Sequence, residues 1–373
     1  MKGSLRVARI FDIPIKIHFS WVLVFALVTL SLAAAYFPVR SPGWSTAAYV
    51  GMGIVTSLLF FASVLVHELA HSVVAMAWKI RVESITLFIF GGVAHISREP
   101  DRPLAEFLIA LAGPVSSLLL ALGFGALWLV GQSLALAPLA DVGLYLGTIN
   151  LWLALFNMIP GFPLDGGRVF RSIVWAWTGN LYRATHWAAN SGRLMAFLMI
   201  AGGAVFFFTG NWASGVWLAF IGWYLEGTAS TSRQQARLQQ ALHGLTAGDL
   251  AAPVCQPVSG TTPLDWLVRD RVMTEGESCF LITDGETPAG LATLSQIRQV
   301  PGPRWAWTPV RQIMTSFDHL QPLQATETAF DALQRLLTEE QSLLPVVDGG
   351  RFIGLVGRDR LLNLAQARAS VGA

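Results

Sequence analysis

Long apolar runs separated by short polar breaks fill the first 230 residues, and shorter mixed segments follow beyond about residue 245. Residues 17–37 are apolar apart from His18 and a few hydroxyls. A helix of that length crosses a bilayer core of about 30 Å. Residues 45–78 form a second run. As one helix it measures roughly 50 Å at 1.5 Å per residue. It therefore tilts, bends near Gly51 and Gly53, or projects from the membrane. Residues 107–130 carry no charge and predict a third span. Residues 142–159 predict a fourth, ended by Pro160 and Pro163. Residues 194–209 and 212–225, on either side of Gly210-Asn211, predict a fifth and sixth span, or one long bent helix. Between the second and third spans the pattern changes. Ser84-Ile85-Thr86-Leu87-Phe88-Ile89-Phe90 has strand composition, Gly91-Gly92 supplies a turn, and Val93-Ala94-His95-Ile96 returns, so a hairpin near the inner face is expected.

Composition sharpens this picture. Only 13% of residues are charged and 53% are hydrophobic, against roughly 25% charged in an average soluble domain. Disorder, collagen and a small disulfide scaffold are excluded. Residues 1–244 hold 15 Lys+Arg and 9 Asp+Glu, a net +6, and residues 245–373 hold 10 and 14, a net −4. A membrane domain followed by a polar soluble domain fits that asymmetry. The net charge of +2 gives no reason to invoke nucleic acid. The only cysteines, Cys255 and Cys279, lie in the polar part, so neither a disulfide framework nor a four-cysteine zinc site follows. A signal peptide cleaved after Ala33-Ala34-Ala35 competes for the first run, but the apolar stretch is longer than a signal core and further spans follow at once. With the N-terminus inside, the inner segments hold fourteen of the Lys and Arg residues of the membrane part and the outer loops only Arg40. The positive-inside rule then places both termini in the cytoplasm of a multi-pass inner-membrane protein.

Ionisable groups inside membrane helices are costly and point to function. His67-Glu68-Leu69-Ala70-His71 sits near the inner end of the second run as H-E-x-x-H. Four residues apart, the two histidines share a helix face and can grip one zinc ion. Glu68 is placed to take a proton from a water beside the metal. Zinc needs a further protein ligand, and Asp165, in the Gly/Pro-rich stretch from Asn157 to Gly167 that closes the fourth run, is the best candidate. Asp165 also reads as an N-cap for a helix beginning near Gly166, and both roles are compatible. His18 and His95 lack ligand spacing to a partner and read as structural.

These residues resemble the site-2 proteases, a family of intramembrane zinc metalloproteases. The matches are His67-Glu68-Leu69-Ala70-His71, Phe90-Gly91-Gly92-Val93-Ala94, Ala112-Gly113-Pro114, and Asn157 with Pro160 and Leu164-Asp165-Gly166-Gly167; Ile13-Pro14-Ile15-Lys16-Ile17-His18 is also similar to prokaryotic members. The resemblance covers about residues 3–230. It implies six membrane helices with a catalytic core of three. It implies one zinc per chain, held by His67, His71 and Asp165, with Glu68 as general base and Asn157 steadying the substrate carbonyl or oxyanion. The implied reaction is hydrolysis of a peptide bond in or near the membrane span of a single-pass protein within the lipid bilayer. Because a helix hides its carbonyls, such a substrate must unwind. The edge of the expected hairpin could hold it by strand addition.

The polar part contains an internal repeat. Phe280-Leu281-Ile282-Thr283-Asp284-Gly285 recurs as Leu344-Pro345-Val346-Val347-Asp348-Gly349, and Gly290-Leu291 as Gly354-Leu355, both with an offset of 64 residues. This resembles a tandem pair of cystathionine-β-synthase (CBS) domains over about residues 245–368, the second copy opening at Pro309. Such pairs often bind adenine nucleotides, regulate an attached membrane domain, or dimerise, so a homodimer through this pair is one implication. The expected ribose-binding pattern, G-h-h-[S/T]-x-x-D, is broken in both copies, as Gly354-Leu355-Val356-Gly357-Arg358-Asp359-Arg360 and Gly290-Leu291-Ala292-Thr293-Leu294-Ser295-Gln296, which weakens the nucleotide implication. The expected architecture is a polytopic α-helical membrane protein with a short β-hairpin (1–230), a connector (231–244) and a soluble α/β tandem CBS pair (245–373). The rival readings are a CBS-regulated membrane transporter and a catalytically inactive substrate-binding relative.

Overall fold

The computed structural model describes residues 3–89, 91–252, 255–277, 279–285, 287–317 and 320–371. Phe90, part of the family match, lies outside them. The chain divides into two compact units, residues 1–234 and 235–373.

The first unit opens with a hairpin. Strand β1 (Ser4–Ile10) pairs antiparallel with β2 (Ile13–His18) through Phe11 and Asp12, both at positive φ, as a two-residue turn of this hand requires. Helix α1 (Ser20–Arg40) follows, with one widened turn over Leu32–Tyr36. The first span was expected to start at residue 17, but Ile17 and His18 belong to β2. The alternation of Ile13, Ile15 and Ile17 is a strand period, and it prevails over bulk hydropathy. Helix α2 (Thr46–Ala77) begins at Ser45, whose hydroxyl accepts from the Ala48 N–H, and runs unbroken. At Gly53 a β-carbon would lie 2.8 Å from the Thr29 carbonyl oxygen, so this glycine lets α1 and α2 approach closely.

Strands β3 (Val82–Phe88) and β4 (Gly91–Ile96) form the expected hairpin. They also join the N-terminal hairpin, β2 running parallel to β3, in one sheet of order β1-β2-β3-β4. Ile13, Ile15, Val82 and Ile85 pack with Ala75 of α2 and with Ile109 in a buried cluster, which seats the sheet against the C-terminal end of α2.

Helix α3 (Pro103–Ser133) starts on Pro103, where a missing N–H costs nothing, and carries Pro114 inside. Helix α4 (Ala137–Asn157) returns beside it, and the Pro/Gly stretch leads into α5 (Asp165–Thr178). Asp165 stands in the first turn of α5 with Leu164 at the cap position, one residue earlier than the capping alternative required. Helices α6 (Leu181–Phe208) and α7 (Trp212–Ala241) are separate, broken at Gly210 with φ +94°. Among the described residues, five helices are long and apolar enough to cross a membrane: α1, α2, α3, α4 and α6. The run expected as a sixth span forms the first half of α7, whose second half turns polar from Glu226 onward.

The second unit repeats one motif. In the first copy β6 (Cys279–Asp284) and β7 (Thr287–Thr293) form a hairpin, with β5 (Gln256–Ser259) parallel to β6 and β8 (Thr315–Ser316) closing the sheet. In the second, β10 (Leu343–Asp348) and β11 (Arg351–Gly357) form the hairpin, with β9 (Leu323–Gln324) parallel to β10. The register slips after Ile282 in one hairpin and after Val346 in the other, so even the bulge obeys the offset of 64 residues. Cys255 and Cys279 are joined by a disulfide.

Candidate metal centre

The H-E-x-x-H segment lies in the last three turns of α2, where His67 and His71 are both buried. Asp165 arrives from the start of α5. Its Oδ2 lies 3.1 Å from His67 Nε2 and 3.2 Å from His71 Nε2, and the two Nε2 atoms are 3.2 Å apart. Among the described residues this is the one group of three potential metal donors.

The outer nitrogens fix what these atoms can do. His71 Nδ1 donates to the Ile109 carbonyl at 2.6 Å, and His67 Nδ1 meets the Ser117 hydroxyl at 2.8 Å. A carbonyl can only accept, so His71 carries its proton on Nδ1 and the neutral ring offers a lone pair at Nε2. With His67 in the same tautomer, two imidazole lone pairs and a carboxylate converge on one point. Three acceptors that close repel unless a cation, or extra protons, sit between them. Donors about 2.0–2.1 Å from a tetrahedral zinc stand about 3.3 Å from one another, near the spacings observed. The donor set, two nitrogens and one oxygen, leaves room for a fourth position, as zinc sites that act on substrates require.

The surroundings are shaped for this approach. A β-carbon on Gly113 would fall 2.6 Å from His67 Nε2 and nearer still to His71 Nε2, so α3 can pass the imidazoles only with glycine there. A β-carbon on Gly92 would lie 3.0 Å from Glu68 Cδ and 3.1 Å from its Oε1, so the β4 backbone rests directly on the glutamate. Asn157 ends α4, and its side-chain amide donates to the Leu153 carbonyl at 3.0 Å, turned back on its own helix. One amide hydrogen remains for another partner. His18 bonds to Ser20 at 2.8 Å, in keeping with a structural role.

Sequence reasoning missed Ser117 and the Ile109 carbonyl, because nothing local marks a residue that touches a histidine 50 or 38 positions away. It found Gly113 only through the family match, and Gly92 through that match and as an expected turn residue, not as a neighbour of Glu68. It also left Glu106 without a partner; the structure buries Glu106 completely against Arg171 of α5.

Comparison with known proteins decides the family. The model of peptidase family M50 matches residues 55–137 and 129–202, and the CBS-domain model matches residues 310–367. A Synechocystis protein, named as a putative zinc metalloprotease, is 35% identical over 99% of this chain and 97% of its own length. Rip3 of Mycobacterium tuberculosis, named in the same way, is 33% identical over 95% of this chain and 91% of its own length. The chain belongs to peptidase family M50, the site-2 proteases. Its second unit carries a CBS domain. The solved site-2 protease of Methanocaldococcus jannaschii is 28% identical and covers 62% of this chain and 95% of its own, with a TM-score of 0.43. With five helices of spanning length and this family membership, the chain is an integral membrane protein.

Proposed function

We propose that this protein is an intramembrane zinc metalloprotease that cuts a peptide bond in or near the membrane span of a single-pass protein. The observation that carries the reading is the convergence of His67 Nε2, His71 Nε2 and Asp165 Oδ2 at 3.1–3.2 Å, with Glu68 on the intervening turn of the same helix. These three residues would hold the metal. A zinc ion bound there supplies Lewis acidity, polarising the scissile carbonyl and acidifying water.

The chain's own groups then have separate tasks. Glu68 takes a proton from the attacking water and passes it to the leaving amine. Asn157 offers its remaining amide hydrogen to charge developing on the carbonyl oxygen. Strand β4 is an edge of its sheet, and Gly92 within it touches Glu68. An unwound substrate segment adding to β4 would therefore run past the base, its backbone hydrogen bonds replaced by those of the strand. The irregular backbone of residues 158–164, just before Asp165, is of the kind tolerated at membrane depth along a wet cavity, which would give water a route to the bond.

The charge distribution supports a cytoplasmic location for both termini, and the CBS unit is read as the module that modulates cleavage or pairs two chains. A transporter has no use for a base beside such a donor set, and an inactive relative has no reason to keep all four residues.

The test is cleavage of a single-pass substrate by purified wild type and Glu68→Gln, with zinc measured in each. Both proteins should hold zinc, and the variant should lose at least about 100-fold in rate. Equal cleavage by the two would refute the role of Glu68. Well-folded wild type without zinc would refute the metalloprotease reading.

A further inference from the structure

The inner half of α3 carries four buried residues on one stripe: Glu106, Ile109, Gly113 and Ser117, spaced by three, four and four positions. That spacing keeps a single helix face. Three of the four serve the histidines of α2. The Ile109 carbonyl accepts from His71, Ser117 meets His67, and Gly113 gives the imidazoles room. The fourth serves the other half of the centre. Glu106 Oε1 accepts from Arg171 Nε at 2.6 Å and also pairs with Arg171 Nη2, and Arg171 sits on α5, the helix that Asp165 begins.

Arg171 is tied on two further sides: its Nη1 lies 3.5 Å from Glu99, and its guanidinium stacks 5.2 Å over the Phe162 ring. Arg168 Nε stands 3.9 Å from the same Glu106 Oε1. Phe162 belongs to the loop that leads into Asp165, and its N–H donates to the Ala188 carbonyl of α6 at 3.1 Å. Arg171 thus grips α3, its own helix and the loop before Asp165 at once.

We propose that Glu106 and Arg171 are positioning residues for the metal centre. Their buried ion pair sets the start of α5, and therefore Asp165, in register with the imidazoles that the same face of α3 holds. The inference rests on the reading of Asp165 as a metal ligand. A purely stabilising role is a poor account of the pair, because apolar side chains of equal volume usually stabilise as well or better. Here the pair also leaves Glu106 Oε2 buried with no hydrogen-bond partner among the described residues, a cost that packing alone would not retain.

The test uses the full-length protein in detergent, with zinc affinity measured by competition with a chelator of known strength and thermal unfolding measured in parallel. The variants are Glu106→Gln, Arg171→Lys, Asp165→Asn and the double variant Glu106→Gln/Asp165→Asn. Asp141→Asn, which weakens the pairing of buried Asp141 with the half-exposed Arg40 and the hydrogen bond it accepts from the Ser41 hydroxyl, is the control for simple destabilisation. Glu106→Gln and Arg171→Lys should each weaken zinc binding by roughly 10–100-fold. Asp141→Asn should lower the unfolding temperature yet hold zinc within about twofold of wild type. In the Asp165→Asn background Glu106→Gln should add no more than about a twofold loss, because the ligand it positions is gone. Wild-type zinc affinity in both pair variants, or the full loss repeated on top of Asp165→Asn, would overturn the proposal. Should Glu106→Gln fail to fold, Arg171→Lys, which keeps the charge and loses the planar fork, decides alone. Absence of zinc from wild type would instead strike down the metal reading, and this inference with it.

Discussion

Gly113→Ala inverts an ordinary expectation. Inside a helix that substitution normally stabilises by about 0.5–1 kcal/mol. Here the new β-carbon would stand 2.5 Å from His71 Cε1 and 2.6 Å from His67 Nε2. Unbonded heavy atoms need about 3.5 Å, so each ring must retreat by about 1 Å, or α3 must move by as much. Metal sites tolerate about 0.2 Å in ligand position. The displacement is several times that allowance and falls on two of three donors together. Since loss of an outer partner alone costs 10–100-fold in metal affinity, we expect at least about a 100-fold loss here. Overpacking adds about 1–3 kcal/mol of destabilisation. Gly123→Ala is the matched control, on the same helix with nothing within 4 Å of the new atom. It should be neutral or stabilising and hold zinc normally. The assay is chelator competition on both purified variants, beside thermal unfolding. Wild-type zinc affinity in Gly113→Ala would refute the placement of α3 against the histidines and the three-donor geometry with it.

Gly92→Ala presses on Glu68 rather than on the donors, so cleavage should slow by 10-fold or more, of order a general base lost from its geometry, while zinc content stays that of wild type; loss of zinc would show that β4 supports the donors instead. Ser117→Ala leaves His67 Nδ1 without its partner, and zinc affinity should fall roughly 10-fold; an unchanged affinity would mean that the hydroxyl does not orient the ring. The disulfide closes a loop with a sequence separation of 24 residues, worth about 3 kcal/mol to the second unit. Replacing Cys255 and Cys279 by serine, or adding strong reductant, should lower that unit's unfolding temperature equally, and no shift in either would refute the contribution. Because such bonds are uncommon in reducing compartments, thiol labelling of the freshly extracted protein also reports which compartment the unit faces.

The parts of the site that were legible in the sequence are those whose partners are near in the chain or whose pattern is periodic. His67 and His71 are four residues apart, so spacing alone placed them on one face, with Glu68 beside them. The β3–β4 hairpin announced itself by strand composition, although Gly91 and Gly92, expected as its turn, pair with Phe88 and Leu87 inside the ladder. Five of the six expected spans appear as helices of spanning length among the described residues, and their extents were less legible. Hydropathy began α1 at residue 17, three positions early, because it cannot see that Ile13, Ile15 and Ile17 alternate within a strand. It also began α6 at residue 194, thirteen positions late, because Arg183 and Arg193 mask the helix from a hydropathy count.

What stayed hidden depends on contacts between elements far apart in sequence. Glu106 looked suited to the first turn of a helix, where a carboxylate meets the positive end of the helix dipole. Its partner Arg171 is 65 residues away, on a helix that begins in a proline-rich loop. No local rule joins them. Yet the spacing of Glu106, Ile109, Gly113 and Ser117 is periodic, and such a stripe on a membrane helix holds one acid, one hydroxyl and one glycine where lipid-facing positions would hold none by need. A polar stripe in an apolar helix must face protein. A helix that contributes no metal donor thus acts as a template for the centre: α2 brings the histidines, α5 brings the aspartate, and α3 contacts the partners of both. The 3.1–3.2 Å triangle follows from how that one face is spaced as much as from the donors themselves.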